Sequence, residues 1–331
     1  MPLSLGDAVD LIDRGIAKIW LTPSEAETRM FEQYAGVETG VEDYRDTESA
    51  IGGLGYASRI LDNAVITEQK PVQGFDKTFT QVQYGVLMSF TKPMWYFGIK
   101  KRDLTQLTTE ARRACSDLRE RLFAERLENS FASSYTTQDD TGNYSVTTTG
   151  GDGNPLISAI HTREDGGTVN INRVTDGIIV NLDFDYEGLK AAHRTASLIL
   201  GPKGKPMNIN LDTLIVKKGS TNYFKALEIK AAIQKGKLPE SADNDGAGVP
   251  AFNVIGLPWI QSNTDYWWMF DSSLKSTKYG SLMYKESQAI LPEGPNIVFK
   301  TGEIQHKATV MFDLGHREYR NIVGSKNTNA S

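Results

Sequence analysis

Several places along this chain carry residue types that can do chemistry, and each lacks a companion that the chemistry needs. IGGLGYAS at 51–58 sets Gly53, Gly55 and Ser58 in the outline of a dinucleotide-binding turn. Such a turn needs a strand before it and a helix after, so that pyrophosphate meets a helix N-terminus. An acidic stretch precedes it here instead. GPKGKP at 201–206 has the lysines and glycines of a phosphate loop, but Pro206 follows Lys205 where a Ser or Thr is required; a helix-ending turn accounts for it. His161, His193, His306 and His316 never recur at helical spacing, so no helix offers a paired-imidazole metal face. Ser158 and His161 stand close together in LISAIHTRED, without a nucleophile elbow or an evident orienting acid. Asp139, Asp140 and Asp152 lack the alternating spacing and closing glutamate of a calcium loop and read as solvated carboxylates. Trp259, Trp267 and Trp268 fall on predicted strands, where packing is the default. No catalytic, cofactor or metal site is predicted, which makes this a structural part rather than an enzyme.

The elements available to build such a part are unusual in shape. Between Thr67 and Phe90 the chain reads as a β-hairpin with its turn around Lys70 to Asp76, where Pro71 and Gly74 interrupt strand pairing. Its second half places Val82, Tyr84, Val86, Met88 and Phe90 on every second residue, the period of a half-buried strand. From Asp103 the period becomes helical: Leu104, Leu107, Ala111, Ala114, Leu118 and Leu122, drifting to Phe123, Leu127 and Phe131. A helix continued to Tyr135 would be roughly 50 Å long at about 1.5 Å per residue. The single cysteine, Cys115, lies on its apolar side and reads as a small core residue. Arg113, Asp117, Arg121 and Glu125 alternate in sign every four residues along it, either a solvated face or a row complementary to a neighbouring copy.

Two amphipathic helices precede the hairpin. One carries Leu5, Ala8, Ile12, Ile16 and Ile19; the next opens on the Ser24 and Glu27 capping box and closes at Gly36, a left-handed cap. They form either an arm that packs on another body or a helical edge of the main core. Residues 37–58, acidic and then glycine-rich, suit a hinge. After the long helix, TTQDDTGNYSVTTTGGDGNP reads as an exposed loop. From Asp183 to Phe270 helices and strands alternate, as in a sheet covered by helices. There Asp185 caps a helix with Leu189, Ala192 and Ala196 inward, and Ser220 or Thr221 caps another with Phe224, Leu227 and Ala231 inward. KGKLPESADNDGAGVP forms a polar loop at the edge of that lobe, and strands return from Ser281 onward.

With 331 residues, 39% of them hydrophobic, the chain can bury a large core, and its length favours two domains or one multi-lobed subunit. The net charge of -5 argues against a dedicated nucleic-acid binder, which would show a basic stripe. No apolar run reaches the ~18 residues of a membrane span, and the N-terminus lacks a basic signal-peptide region, so a cytosolic, reducing compartment is expected.

The order of helical arm, acidic hinge, hairpin, long helix, Thr/Gly loop, α/β lobe and returning strands resembles the HK97-type major capsid proteins of tailed bacteriophages. QGFDKTFTQVQYG is similar to a strand of that family's extended loop, and RDLTQLTTEARRACSDLRERLFAERLENSF to its spine helix. GGDGNPLISAIHT, LDTLIVKKGS and the ending REYRNIVGS resemble motifs of one of its branches. The resemblance spans most of residues 50–325.

It implies an α+β, HK97-like capsid fold: an N-terminal arm (1–50), an extended hairpin loop (51–95), a peripheral domain with the spine helix (96–182), an α/β axial domain (183–275) and returning strands (276–331). It further implies a non-enzymatic subunit without cofactors that assembles in the host cytoplasm, as pentamers and hexamers, into an icosahedral virion shell. Subunit contacts are then expected at Lys70, Phe75, Lys77 and Phe79 of the hairpin and at Arg113, Asp117, Arg121 and Glu125 of the helix. Asp243 and Asp245, in the polar loop, are expected near the ring axis. The short arm points to scaffolding from a separate chain; portal and decoration proteins would be further partners, DNA at most a weak one, and a membrane none. Lys70 or Lys77 could supply the lysine of an inter-subunit isopeptide bond, but no acidic catalyst is evident and no crosslink is expected. Two rival readings are an encapsulin-like compartment, which would enclose protein cargo, and a nucleotide-dependent enzyme using the α/β lobe, which the missing phosphate loop disfavours.

Overall fold

The computed structural model describes residues 4–21, 29–57, 59–60, 68–97, 101–139, 142–234 and 249–327. Its centre is a 28-residue helix, α3 (Lys101–Glu128), about 42 Å long at about 1.5 Å per residue. Across it runs the first helix, α1 (Leu5–Leu21), which buries Ala8, Ile12 and Ile16. The two approach closely at Gly15, where a Cβ would clash with Leu104 Cδ2. Ser4 Oγ accepts the Asp7 N–H at 3.2 Å and so caps α1.

Beneath α3 lies a four-stranded sheet in the order β1-β10-β11-β4, formed by β1 (Gly36–Thr39), β4 (Val82–Phe90), β10 (Leu282–Val298) and β11 (Glu303–His316). The expected period of two in β4 is present, with Met88 and Phe90 buried against α3. Its partner is β11, in antiparallel register from Phe312↔Val82 to Ile304↔Phe90. Ahead of it β2 (Arg45–Ile51) pairs with β3 (Gln73–Thr80). The hairpin ribbon is therefore β2–β3, and Phe75 and Asp76 lie inside a strand rather than in a turn. Periodicity fixes which face a strand buries but is silent about its partner, and the alternating polar residues of β2 resemble a hinge until β3 is laid beside them.

A single 3-10 turn, Met30–Gln33, wedges Phe31 between α3 and the sheet, stacked on Phe123 at 4.9 Å. Gly36 opens β1 instead of capping a helix; a Cβ there would meet Met283 Sδ at 2.6 Å and the Lys275 carbonyl at 2.7 Å. The Ser24–Glu27 capping box lies outside the described residues.

The long helix stops at Glu128, short of Tyr135. Phe131 still packs on the core from the turn that follows, and the Thr-rich run expected to be a loop pairs as β5 (Ser134–Asp139) with β6 (Gly142–Thr147). Its β-branched and aromatic residues fit a pleated surface.

A second sheet, β12-β9-β7-β8, comprises β7 (Thr213–Lys217), β8 (Asn253–Leu257), β9 (Trp267–Phe270) and β12 (Ile322–Ser325). It is buried on both faces. Leu214, Val216, Trp267 and Met269 meet the helices α4 (Tyr186–Ser197) and α5 (Thr221–Gln234), while Ile215, Trp268 and Phe270 join the core around α3. Asp185 caps α4 as expected, its Oδ1 accepting the Gly188 N–H at 2.6 Å. In α5 the inward residues are Asn222, Ala226 and Ile229, with Phe224 and Leu227 turned outward. Apolar residues surround this helix, so its sequence does not choose a face and the sheet does.

Candidate assembly surface

Two kinds of feature could carry interactions with another body: the β2–β3 ribbon with the charges that anchor it, and the charged faces of α3. Both begin with carboxylates and cations set into strands or a helix that packing then buries.

The hairpin root is clamped by Lys285, a lysine 1% exposed within the apolar run Leu282 to Tyr284. Its ammonium meets Glu38 of β1 at 2.9 Å, Glu48 of β2 at 2.5 Å and Asp46 of β2. It also sits 5.0 Å from the ring centre of Phe79 in β3. Burial alone would lower the affinity of this amine for its proton, but hydrogen bonds to Asp46, Glu48 and Glu38 outweigh it and hold its pKa above the ordinary lysine range. Burial pushes Glu48 up, and its bonds to Lys285 and Arg317 more than reverse that, leaving its carboxyl below the usual range. The three carboxylate oxygens lie within 4.8 Å of one another, a spacing a metal could bridge, and the Lys285 ammonium takes that space. Sequence reasoning missed this clamp. Its one trace was a Lys-Glu pair inside an apolar strand.

The α3 charge row splits in two. Arg113 is exposed and turns back to Glu110 at 3.5 Å, and Asp117 is exposed beside it. Arg121 and Glu125 pair at 2.8 Å beneath the β5–β6 hairpin, where Arg121 donates to the Gln138 carbonyl at 3.0 Å and Thr137 Oγ1 to Glu125 at 2.9 Å. These two border a polar groove of about 480 Å³ shared with Trp259 and Ser262. The lower half of the row thus binds its own chain.

Three further charges on α3 act as rivets. Arg119, buried, meets Glu286 at 2.9 Å and lies 5.5 Å from the Tyr284 ring. Glu128 accepts the backbone N–H of Gln261 at 3.5 Å, of Ser262, and of Asn263 at 2.6 Å, fastening the second sheet's loop to the helix. Glu120 accepts the Phe31 N–H at 3.3 Å, and burial, with Asp117 and Glu32 adding to it, pushes its carboxyl up to about 7 against those backbone bonds. The folded chain therefore keeps this proton at a pH where the unfolded chain has lost it, so stability falls as pH rises from about 4.5 to about 7. Glu120→Gln is expected to flatten that fall and to be more stable than the unaltered chain at pH 8 by about 1 to 3 kcal/mol. Urea titrations at pH 5 and pH 8 check it; an equal deficit of the variant at both would refute the assignment.

The hairpin candidates do not share one exposed face. Lys70 is exposed; Phe75 is half-buried against Gly151, whose Cβ would come within 2.7 Å of it. Lys77 donates to the Thr149 carbonyl at 2.8 Å, and Phe79 is fully buried under Gly315 and Lys285. Lys77 and Phe79 therefore spend their contacts inside the chain. In the segment after β2, Leu54, Tyr56 and Ile60 are exposed, with Lys205 over the Tyr56 ring at 4.6 Å. The helix α2 (Lys92–Tyr96) is tied to the β10–β11 turn by Trp95 Nε1 donating to the Gly302 carbonyl at 2.9 Å, and this end exposes Phe97 and Phe299. Asp243 and Asp245 lie outside the described residues. The histidine singled out for chemistry, His161, is a buried hub: 2.7 Å from Asp152, 3.1 Å from Asn172, and stacked on Tyr319 at 3.8 Å. Ser158 Oγ instead accepts the Ile160 N–H at 3.2 Å.

No protein-family profile and no curated protein sequence matches the chain. Solved structures do. The capsid structure of the cyanophage P-SCSP1u superposes with a TM-score of 0.51 at 11% identity, covering 93% of this chain and 92% of that one. A Mycobacterium phage Adephagia structure covers 98% of both chains at 11% identity and a TM-score of 0.48, and the capsid of an empty GTA particle gives 0.45 at 10%, covering 88% of this chain and 94% of that one. The first of these carries the comparison. The chain has the mixed α+β fold of a phage capsid protein, the HK97-type architecture.

Proposed function

We propose that this protein is a major capsid subunit: copies assemble as pentamers and hexamers into a closed icosahedral shell around a phage genome. The observation that carries the reading is the likeness to the cyanophage capsid over 93% of the chain. The segment after β2 supports it, since its exposed Leu54, Tyr56 and Ile60 gain from a neighbour that covers them. In this reading the hairpin reaches over the next subunit, α3 is the spine from which it projects, and the second sheet with α4 and α5 is the axial lobe. Of the described residues expected at subunit contacts, Lys70, Arg113 and Asp117 stay exposed and are placed to meet a neighbour. The role is structural rather than enzymatic, the place is the virion shell assembled in the host cytoplasm, and scaffolding, portal and decoration proteins come from other chains.

Expression of the chain, sedimentation and electron microscopy test this. Closed shells or rings of uniform size are the expected result, with nuclease-protected nucleic acid inside particles made during infection. A compact monomer under every salt, pH and concentration tried would overturn it.

A further inference from the structure

The second sheet ends in two exposed apolar patches that its own chain cannot bring together. At the β12 edge, residues 172–174 run alongside β12, Val174 donating to the Gly324 carbonyl at 2.9 Å and Gly324 to the Asn172 carbonyl at 3.0 Å. The chain then makes a tight turn in which Asp176 Oδ1 accepts the N–H of Ile178 and Ile179, at 2.8 and 2.7 Å. This turn presents Ile178, 91% exposed, with Ile179 and Val180 each nearly half exposed. Three successive branched aliphatics held outward by hydrogen bonds are a costly surface for an isolated chain. At the other side of the sheet α5 packs over β7 and β8 and turns Phe224, 56% exposed, and Leu227, 40% exposed, to solvent.

The charges around the two patches differ in sign. Residues 172–194 carry four carboxylates (Asp176, Asp183, Asp185, Glu187) against Arg173, Lys190 and Arg194, a net of -1. Residues 217–230 carry four lysines (Lys217, Lys218, Lys225, Lys230) against Glu228, a net of +3. Part of the first set is answered locally, since Lys190 pairs with Glu187 at 2.8 Å and Arg194 lies within electrostatic reach of Asp176. Asp176 and Asp185 remain exposed on one side, Lys218 and Lys225 on the other.

We propose that the Ile178–Val180 turn of one copy docks on the Phe224 and Leu227 face of α5 in a second copy of this chain. Because the turn lies at the β12 edge and α5 covers the β7 and β8 side of the sheet, the two patches are different surfaces and the contact is head-to-tail, each copy offering one patch and receiving on the other. Heterologous contacts of this kind close into rings or run on as filaments, and never stop at a symmetric dimer. An aromatic anchor with an apolar knob and a rim of opposite charge is the anatomy of a specific interface. The inference rests on the self-assembly reading and deepens it: it places one lateral contact on the axial lobe.

The test uses two full-length variants, Ile178→Asp and Phe224→Asp, both at exposed positions, with unchanged melting temperature and circular dichroism as the check of folding. Should either fail that check, Ile178→Ser and Phe224→Ser replace them. Each alone is expected to lose rings and particles. Mixed in equal amounts, each still offers the patch that the other lacks, and analytical ultracentrifugation is expected to show one species of twice the monomer mass. Variants that assemble as the unaltered chain does, or a mixture that stays monomeric, would overturn this contact and leave the capsid reading standing. Failure of the unaltered chain to assemble would count against the capsid reading, while the mixture still reports on the contact.

Discussion

Arg119→Met is expected to destabilise the protein by about 3 to 5 kcal/mol, the range for removing one partner of a buried ion pair. That is a large fraction of the ~5 to 15 kcal/mol that holds a typical domain folded. Arg119 is 1% exposed, and its guanidinium is the countercharge to Glu286, which also accepts the Tyr284 hydroxyl at 2.5 Å. Methionine would fill the apolar space between the Tyr284 and Phe312 rings, so the loss comes from stranding a carboxylate and not from a cavity. The arginine is itself poorly satisfied: Nε and Nη1 have no hydrogen-bond partner among the described residues. The double variant Arg119→Met/Glu286→Gln should therefore recover most of the loss, to within about 1 kcal/mol of the unaltered chain, because well-packed neutral groups often replace a buried pair at little cost. Urea unfolding of the three proteins decides. A double variant no more stable than the single one would place the effect in packing rather than charge.

Lys285→Met is expected to cost about 3 kcal/mol at pH 7, at the low end of the same range because its three partners keep some contact with water. Without the ammonium, Glu38, Asp46 and Glu48 are left within 4.8 Å of one another, and Arg317 answers only Glu48. The sign of the pH dependence then separates charge from packing. In the unaltered chain Glu48 is held below its unfolded pKa, so its stabilisation is present above that value and is lost as pH falls through the folded one. In the variant the crowded carboxylates favour protonation, so acidification from pH 7 to pH 5 should narrow the gap between the two proteins. Hydrogen exchange should also quicken at β2, whose two core-facing acids lose their anchor. A gap that stays constant with pH, with β2 still protected, would show that the clamp does not hold the hairpin.

Much of the architecture was legible because it rests on local periods. The alternation of β4, the apolar stripe of α3, the Asp185 cap and the helix-strand rhythm of the second lobe are all set by near neighbours, and burial follows from them. The resemblance to a capsid fold rested on that order. What was not legible lies wherever two distant segments meet. The hairpin was placed one strand too late because β4 looks the same whether it pairs with β3 or with β11. The Thr-rich stretch after α3 read as a loop because a two-stranded ribbon with both faces partly wet has no apolar alternation to announce it.

The candidate site follows the same division. Sequence alone determined that the chain is acidic, rich in helix and strand, with an alternating charge row on a long helix and no recognisable catalytic constellation. Only the tertiary structure decided that half of that row is covered by the chain's own hairpin, that Lys77 and Phe79 face inward, and that α5 turns its aromatic residue outward. It also decided which charges are buried. Arg119, Glu120, Glu128 and Lys285 are ordinary letters in an ordinary run, and each acquires its role from a partner between 89 and 247 residues away. A charge carries its sign in the sequence, but its dielectric surroundings and its counter-ion exist only once the chain has folded.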